Sequence, residues 1–193
     1  MSEAQNVRGD LLYAGLAVDI YTAERARALH AAVGRYASEI NTGGYGELFS
    51  TIQNAAISEF TLSLAKLFER SSKRYAVRSI PAMLQLLRKN ADTIDTVQPN
   101  TALRDFVLIR SRRDKVIAHN EVVDAKLLPR TRWQDAEALL NFAKNVMAGV
   151  GMAFFASAWA DDSGHFGTSD DAESAAIELR ELLRQSGIVP SAR

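Results

Sequence analysis

The stretch Phe49–Phe68, FSTIQNAAISEFTLSLAKLF, decides the fold. Its apolar stripe is Phe49, Ile52, Ala56, Phe60, Leu64 and Leu67. The steps are three or four residues, the repeat of a helix burying one face. A strand would alternate every second residue, and this stretch does not. The same repeat recurs almost throughout the chain, while strand signals are scarce.

Working outward, a first helix is expected from near Ser2 toward Ile40, bent at Gly15 or Gly34 and stopped by Asn41-Thr42-Gly43-Gly44. The helix quoted above starts near Tyr45 and closes near Ser71-Ser72. A basic connector, Lys73-Arg74-Tyr75-Ala76-Val77-Arg78, follows. Ser79-Ile80-Pro81 reads as a capped start, with a hydroxyl to bond the free N–H groups and a proline where its missing N–H costs nothing. Ile80, Met83, Leu84 and Leu87 then make a short amphipathic helix. Asp92–Pro99 is a loop, and Asn100 or Thr101 caps a fourth helix. Thr131-Arg132-Trp133-Gln134 matches a capping box that opens a fifth helix running to about Trp159. The last helix begins at Asp170 and Glu173, bears Ala172, Ala175, Ala176, Leu179, Leu182 and Leu183, and stops at Gly187. The expected fold is all-α, one domain over residues 1–193, a bundle of five to six helices with a core over about 1–160 and a C-terminal helix over about 170–187.

Composition narrows the function. The chain has no cysteine, which excludes disulfides, thiolate metal sites and a cysteine nucleophile. Its three histidines are scattered without metal-ligand spacing, so no metal or cofactor is expected. Met1-Ser2-Glu3 is not followed by a cationic lead and an apolar run, so a cytoplasmic location is expected. The greasiest stretch, Val146–Ala160, is shorter than the roughly 20 residues of a membrane span and reads as a buried helix. Net charge is zero but uneven: residues 66–115 carry +7 and the two flanks are acidic. A basic middle suits an anionic partner, unless acids from the ends fold back over it.

That middle contains Arg110–Asn120, RSRRDKVIAHN. Leu103, Phe106, Arg110, Arg113 and Ile117 lie at steps of three and four, so two cations interrupt a core-like seam. Burying an unpaired guanidinium costs several kcal/mol. The seam must therefore face a carboxylate, a wet cleft or an anionic ligand. His119 titrates near neutral pH and can carry protons, whereas arginine grips phosphate in a fork. Together they suffice for metal-free RNA cleavage. At about 100° per residue, however, Arg113 and His119 lie about 120° apart in an unbroken helix, so a deformed helix or a second chain must bring them together. The bland alternative is a histidine near a helix C-terminus, favoured there by the dipole. Around this motif Arg110, Arg112, Lys115 and Asn120, with Lys73, Arg74 and Arg78 of the connector, are candidate RNA contacts.

RRDKVIAHN resembles the signature of the HEPN superfamily, an arginine followed by a polar residue and then a histidine after four to six intervening positions. Arg113-Asp114 and His119 fit with five intervening residues. The order of SLAKLFER (Ser63–Arg70), SIPAMLQLL (Ser79–Leu87) and the motif is similar to the AbiU-like abortive-infection branch, over about residues 45–160. That resemblance implies a HEPN-like bundle that dimerises with its motifs facing across a shared cleft. It also implies a metal-independent endoribonuclease in antiphage defence or toxin–antitoxin pairs. By carry-over His119 activates the ribose 2′-hydroxyl or protonates the leaving oxygen, Arg113 holds the scissile phosphate, and Asp114 positions both. One departure stands at the end of the second helix, where Glu69-Arg70 replaces the branch's aspartate. The alternative is a non-catalytic interaction module or nucleotide-binding partner of a nucleotidyltransferase or antitoxin.

Overall fold

The computed structural model describes residues 3–70, 77–88, 132–151 and 169–189, together with Arg110 and Phe154. These residues form six helices: α1 Glu3–Arg35, α2 Ala37–Thr42, α3 Gly46–Phe68, α4 Ile80–Arg88, α5 Trp133–Val150 and α6 Ser169–Gln185. Among the described residues there is no strand. The all-α bundle read from the periodicity is the fold.

α1 is the axis. It has 33 residues, about 50 Å at 1.5 Å per residue, and packs most extensively against α3 and α6, and also against α5 and α4. It runs unbroken through Gly15, and the break falls at Tyr36, beyond Gly34. The main core gathers Leu16 and Ile20 of α1, Leu64 and Leu67 of α3, Met83 and Leu87 of α4, and Leu139, Leu140 and Met147 of α5, all essentially fully buried. On α3, Phe49, Ala56, Phe60, Leu64 and Leu67 are buried and Ile52 partly so, as the stripe requires. A smaller cluster joins Ala32, Val33, Ile40, Phe49, Leu179 and Leu183 where α1, α2, α3 and α6 meet.

The stops of α2 and α6 are set by glycine. Gly44 (φ +80°) and Gly187 (φ +73°) adopt the left-handed conformation that glycine reaches without strain. Beyond each, the chain turns back on the helix. The Tyr45 N–H donates to the Ile40 carbonyl at 3.0 Å, and the Ile188 N–H donates to the Leu183 carbonyl at 2.9 Å. Both are six-to-one bonds that satisfy carbonyls at a helix end. Both accepting residues are buried in the smaller cluster, so the two stops also close that core.

Helix starts follow two patterns. Ser79 caps α4 as its sequence suggests: the Ala82 N–H donates to Ser79 Oγ at 3.3 Å, and Ser79 is fully buried. The first residue of the capping box expected at Thr131 lies outside the described residues. Arg132 is the capping residue, with no side-chain cap bond. Aromatic packing holds that start instead. Trp133 stacks on His30 of α1 with ring centroids 4.5 Å apart and lies 5.0 Å from the Phe60 ring of α3.

One further expectation is corrected. α3 ends at Phe68 rather than at Ser71-Ser72, because Glu69 turns to extended backbone. Leu182 is 59% exposed, since α6 turns only the Leu179 and Leu183 edge of its stripe inward. At the end of α5, Gly151 meets the Tyr13 side chain, whereas a Cβ at Gly149 would have open space. The expected fourth helix, the loop before it and the end of the fifth helix at Trp159 lie outside the described residues, apart from Arg110, Gly151 and Phe154.

Candidate functional site

Most of the sequence-derived site lies outside the described residues: Arg112, Arg113, Asp114, Lys115, His119 and Asn120, with Lys73 and Arg74. Arg110 is described, and it is helical and exposed. Arg78 is the other described member.

Arg78 is held by α1. Its Nε donates to Asp19 Oδ2 at 3.2 Å, and its Nη2 donates to Asp19 Oδ1 at 3.0 Å and to Oδ2 at 2.9 Å. The Asp19 side chain is almost fully buried, while that of Arg78 remains about half exposed. Gly15 makes the approach possible. A Cβ built there would collide with Arg78 Cδ and lie 2.7 Å from Nη1. Gly15 and Asp19 are four residues apart, hence stacked on one face of the helix. The glycine is a notch across which the guanidinium lies, and the carboxylate at its far side receives the fork. Here an acid from the N-terminal flank does fold back on the basic middle.

A second buried carboxylate, Glu24, lies five residues further along α1. It accepts from Lys144 Nζ of α5, and both side chains are largely buried. Neither carboxylate was singled out from sequence. The signal was present: Leu16, Asp19, Ile20, Ala23 and Glu24 step along one apolar face, so acids interrupt a core stripe as the arginines do in the Arg110–Asn120 segment. A buried charge without a partner is too costly to keep, so each predicts a cation arriving from elsewhere in the chain.

His30, expected to be structural or solvated, is structural. Besides its stack on Trp133, its carbonyl accepts from Gln53 Nε2 at 3.5 Å, and burial lowers its pKa below the ordinary 6.5. No helix among the described residues is long and apolar enough to cross a membrane.

The class this defines is an all-α bundle built on one long N-terminal helix, with a cation-rich segment between α4 and α5. The AbiU2 family of HEPN domains matches residues 10–177, and the chain belongs to that family. The matched stretch contains α1 from Asp10 onward, α2 to α5, about the first half of α6 and the whole Arg110–Asn120 segment. No curated protein and no solved structure matches the chain.

Proposed function

We propose that this protein is a metal-independent endoribonuclease, acting as a homodimer in antiphage defence or as the toxin of a toxin–antitoxin pair. The observation that carries the reading is the family match over residues 10–177, which encloses Arg113, Asp114 and His119 at the spacing of the HEPN signature. His119 takes the proton of a ribose 2′-hydroxyl. The oxygen attacks the neighbouring phosphorus, the bond to the 5′-oxygen breaks, and that oxygen leaves with a proton. The products are a 2′,3′-cyclic phosphate and a 5′-hydroxyl. Arg113 neutralises charge on the phosphate as it develops, a contribution of several kcal/mol in comparable sites. Asp114 orients the two, and pairing of two chains meets the angular demand on Arg113 and His119.

The test is cleavage of bulk RNA and tRNA in the presence of a chelator. His119→Ala is expected to lower the rate by about 10²–10⁴-fold with the fold retained, the usual contribution of a positioned proton carrier. Undiminished cleavage in both His119→Ala and Arg113→Ala would contradict the assignment.

A second reading, an interaction module partnered with a nucleotidyltransferase or antitoxin, draws on the outer face of α1. Leu11, Ala14 and Val18 lie at steps of three and four and are all exposed, Leu11 by 70% and Val18 by 56%. It predicts a stable complex and no turnover.

A further inference from the structure

A cleft of about 340 Å³ opens between α1 and α6, lined among the described residues by the last turns of α1, by Tyr36 and by α6. Its size falls at the lower end of small-ligand pockets, roughly 300–1,000 Å³. Of the described residues assigned above to RNA, neither Arg78 nor Arg110 lines it.

Charge in the cleft is unbalanced. Among the described residues, Arg27, Arg35 and Arg180 line it against a single carboxylate, Glu173. Arg27 is already committed outside the cleft, to Glu137 of α5 at 3.5 Å. Arg35 and Arg180 form no ion pair among the described residues, and both are exposed. Along α6, Glu173 and Arg180 are seven residues apart, about 10 Å on the helix axis, so the acid and that cation stand at different depths of the cleft. Two guanidinium groups therefore remain to bind an anion.

The floor is apolar. Alanines from both helices, Tyr36 and Ile177 form it, and Ile177 is 52% exposed. Small residues let the two backbones approach and leave the space above them empty of side chains. A bare inorganic anion would cover the cations and leave Ile177 wet. An anion bearing an apolar or aromatic body covers both.

We infer that the α1–α6 cleft binds a small phosphate monoester, its phosphate held by Arg35 and Arg180 and its apolar body seated on Ile177 and the alanine floor. A phosphate dianion matches two guanidinium forks in charge and in geometry. This does not rest on RNA cleavage, because its cations and the motif's are different residues.

The experiment is calorimetric titration of the full chain with phenyl phosphate, inorganic phosphate and phenol. Phenyl phosphate is expected to bind at one site, at least about tenfold more tightly than inorganic phosphate, with phenol weaker than either. The Arg35→Gln/Arg180→Gln variant is expected to lose about tenfold or more, and Arg25→Ala, which removes an exposed cation outside the cleft, to lose nothing. Glutamine keeps hydrogen-bonding capacity and helix propensity, and the circular dichroism of the variant verifies its fold. Should it unfold, Ile177→Glu places a carboxylate at the same cleft and is expected to abolish binding. Absence of saturable phenyl phosphate binding, equal affinity for the bare ion, or unchanged binding in the cleft variants would each overturn the assignment.

Discussion

α1 uses charge in two opposite ways along its length. Between Leu16 and Glu24 its charged residues are acids that face inward, each nearly fully buried and each locked to a cation from another element: Asp19 to Arg78 and Glu24 to Lys144. Between Arg27 and Arg35 its charges are arginines at the rim of an open cleft, and only Arg27 has a partner among the described residues. The first stretch spends its charges on fixing the bundle, since a misplaced helix would strand a buried carboxylate. The second leaves charge for something from outside. On one helix, depth of burial separates a structural ion pair from a candidate binding group.

This contrast is exposed to mutation. The largest effect is expected at Glu24→Ala, which leaves Lys144 buried without its carboxylate; urea unfolding should show a loss of about 3–5 kcal/mol. Gly151→Ala comes next, at about 1–3 kcal/mol, since its Cβ would lie within van der Waals overlap of the Tyr13 hydroxyl and force α5 away from α1. Gly15→Ala gains up to about 1 kcal/mol in helix propensity but displaces Arg78 from a buried carboxylate, a contact of about 1.5–3 kcal/mol, for a net loss of about 1 kcal/mol. Arg35→Ala, in the rim stretch, should stay within about 0.5 kcal/mol. If Arg35→Ala proved as costly as Glu24→Ala, the distinction between the two stretches would collapse.

The smallest effect is a pH dependence. Burial lowers the pKa of His30, so between its folded value and 6.5 the unfolded chain binds more protons than the folded one. Stability therefore rises with pH through that window and is lost as pH falls through it. His30→Phe, which keeps a ring against Trp133, should flatten this slope; a slope unchanged by the substitution would place the dependence on other groups.

The elements were legible where their cause is local. The α3 stripe, the Ser79 cap and the glycine stops at Gly44 and Gly187 each depend on a few neighbouring residues, and each forms as read. The packing at the start of α5 was illegible, because Trp133 stacks on His30, about a hundred residues away in sequence. Partners were illegible for the same reason. Asp19 finds Arg78 across 59 residues and Glu24 finds Lys144 across 120, separations at which helical periodicity says nothing. That Asp19 and Glu24 needed partners was legible, because they break an apolar stripe; which cations would answer was not. The family motif was legible as a spacing, Arg113 to His119, and its membership follows from the match over residues 10–177.

The central claim is that His119 and Arg113 direct a ribose 2′-oxygen onto its own phosphate. Mass spectrometry of the ends left on tRNA cut by the wild-type protein in chelator tests it most directly. The account predicts 2′,3′-cyclic phosphate and 5′-hydroxyl ends; fragments carrying 3′-hydroxyl and 5′-phosphate ends would contradict it.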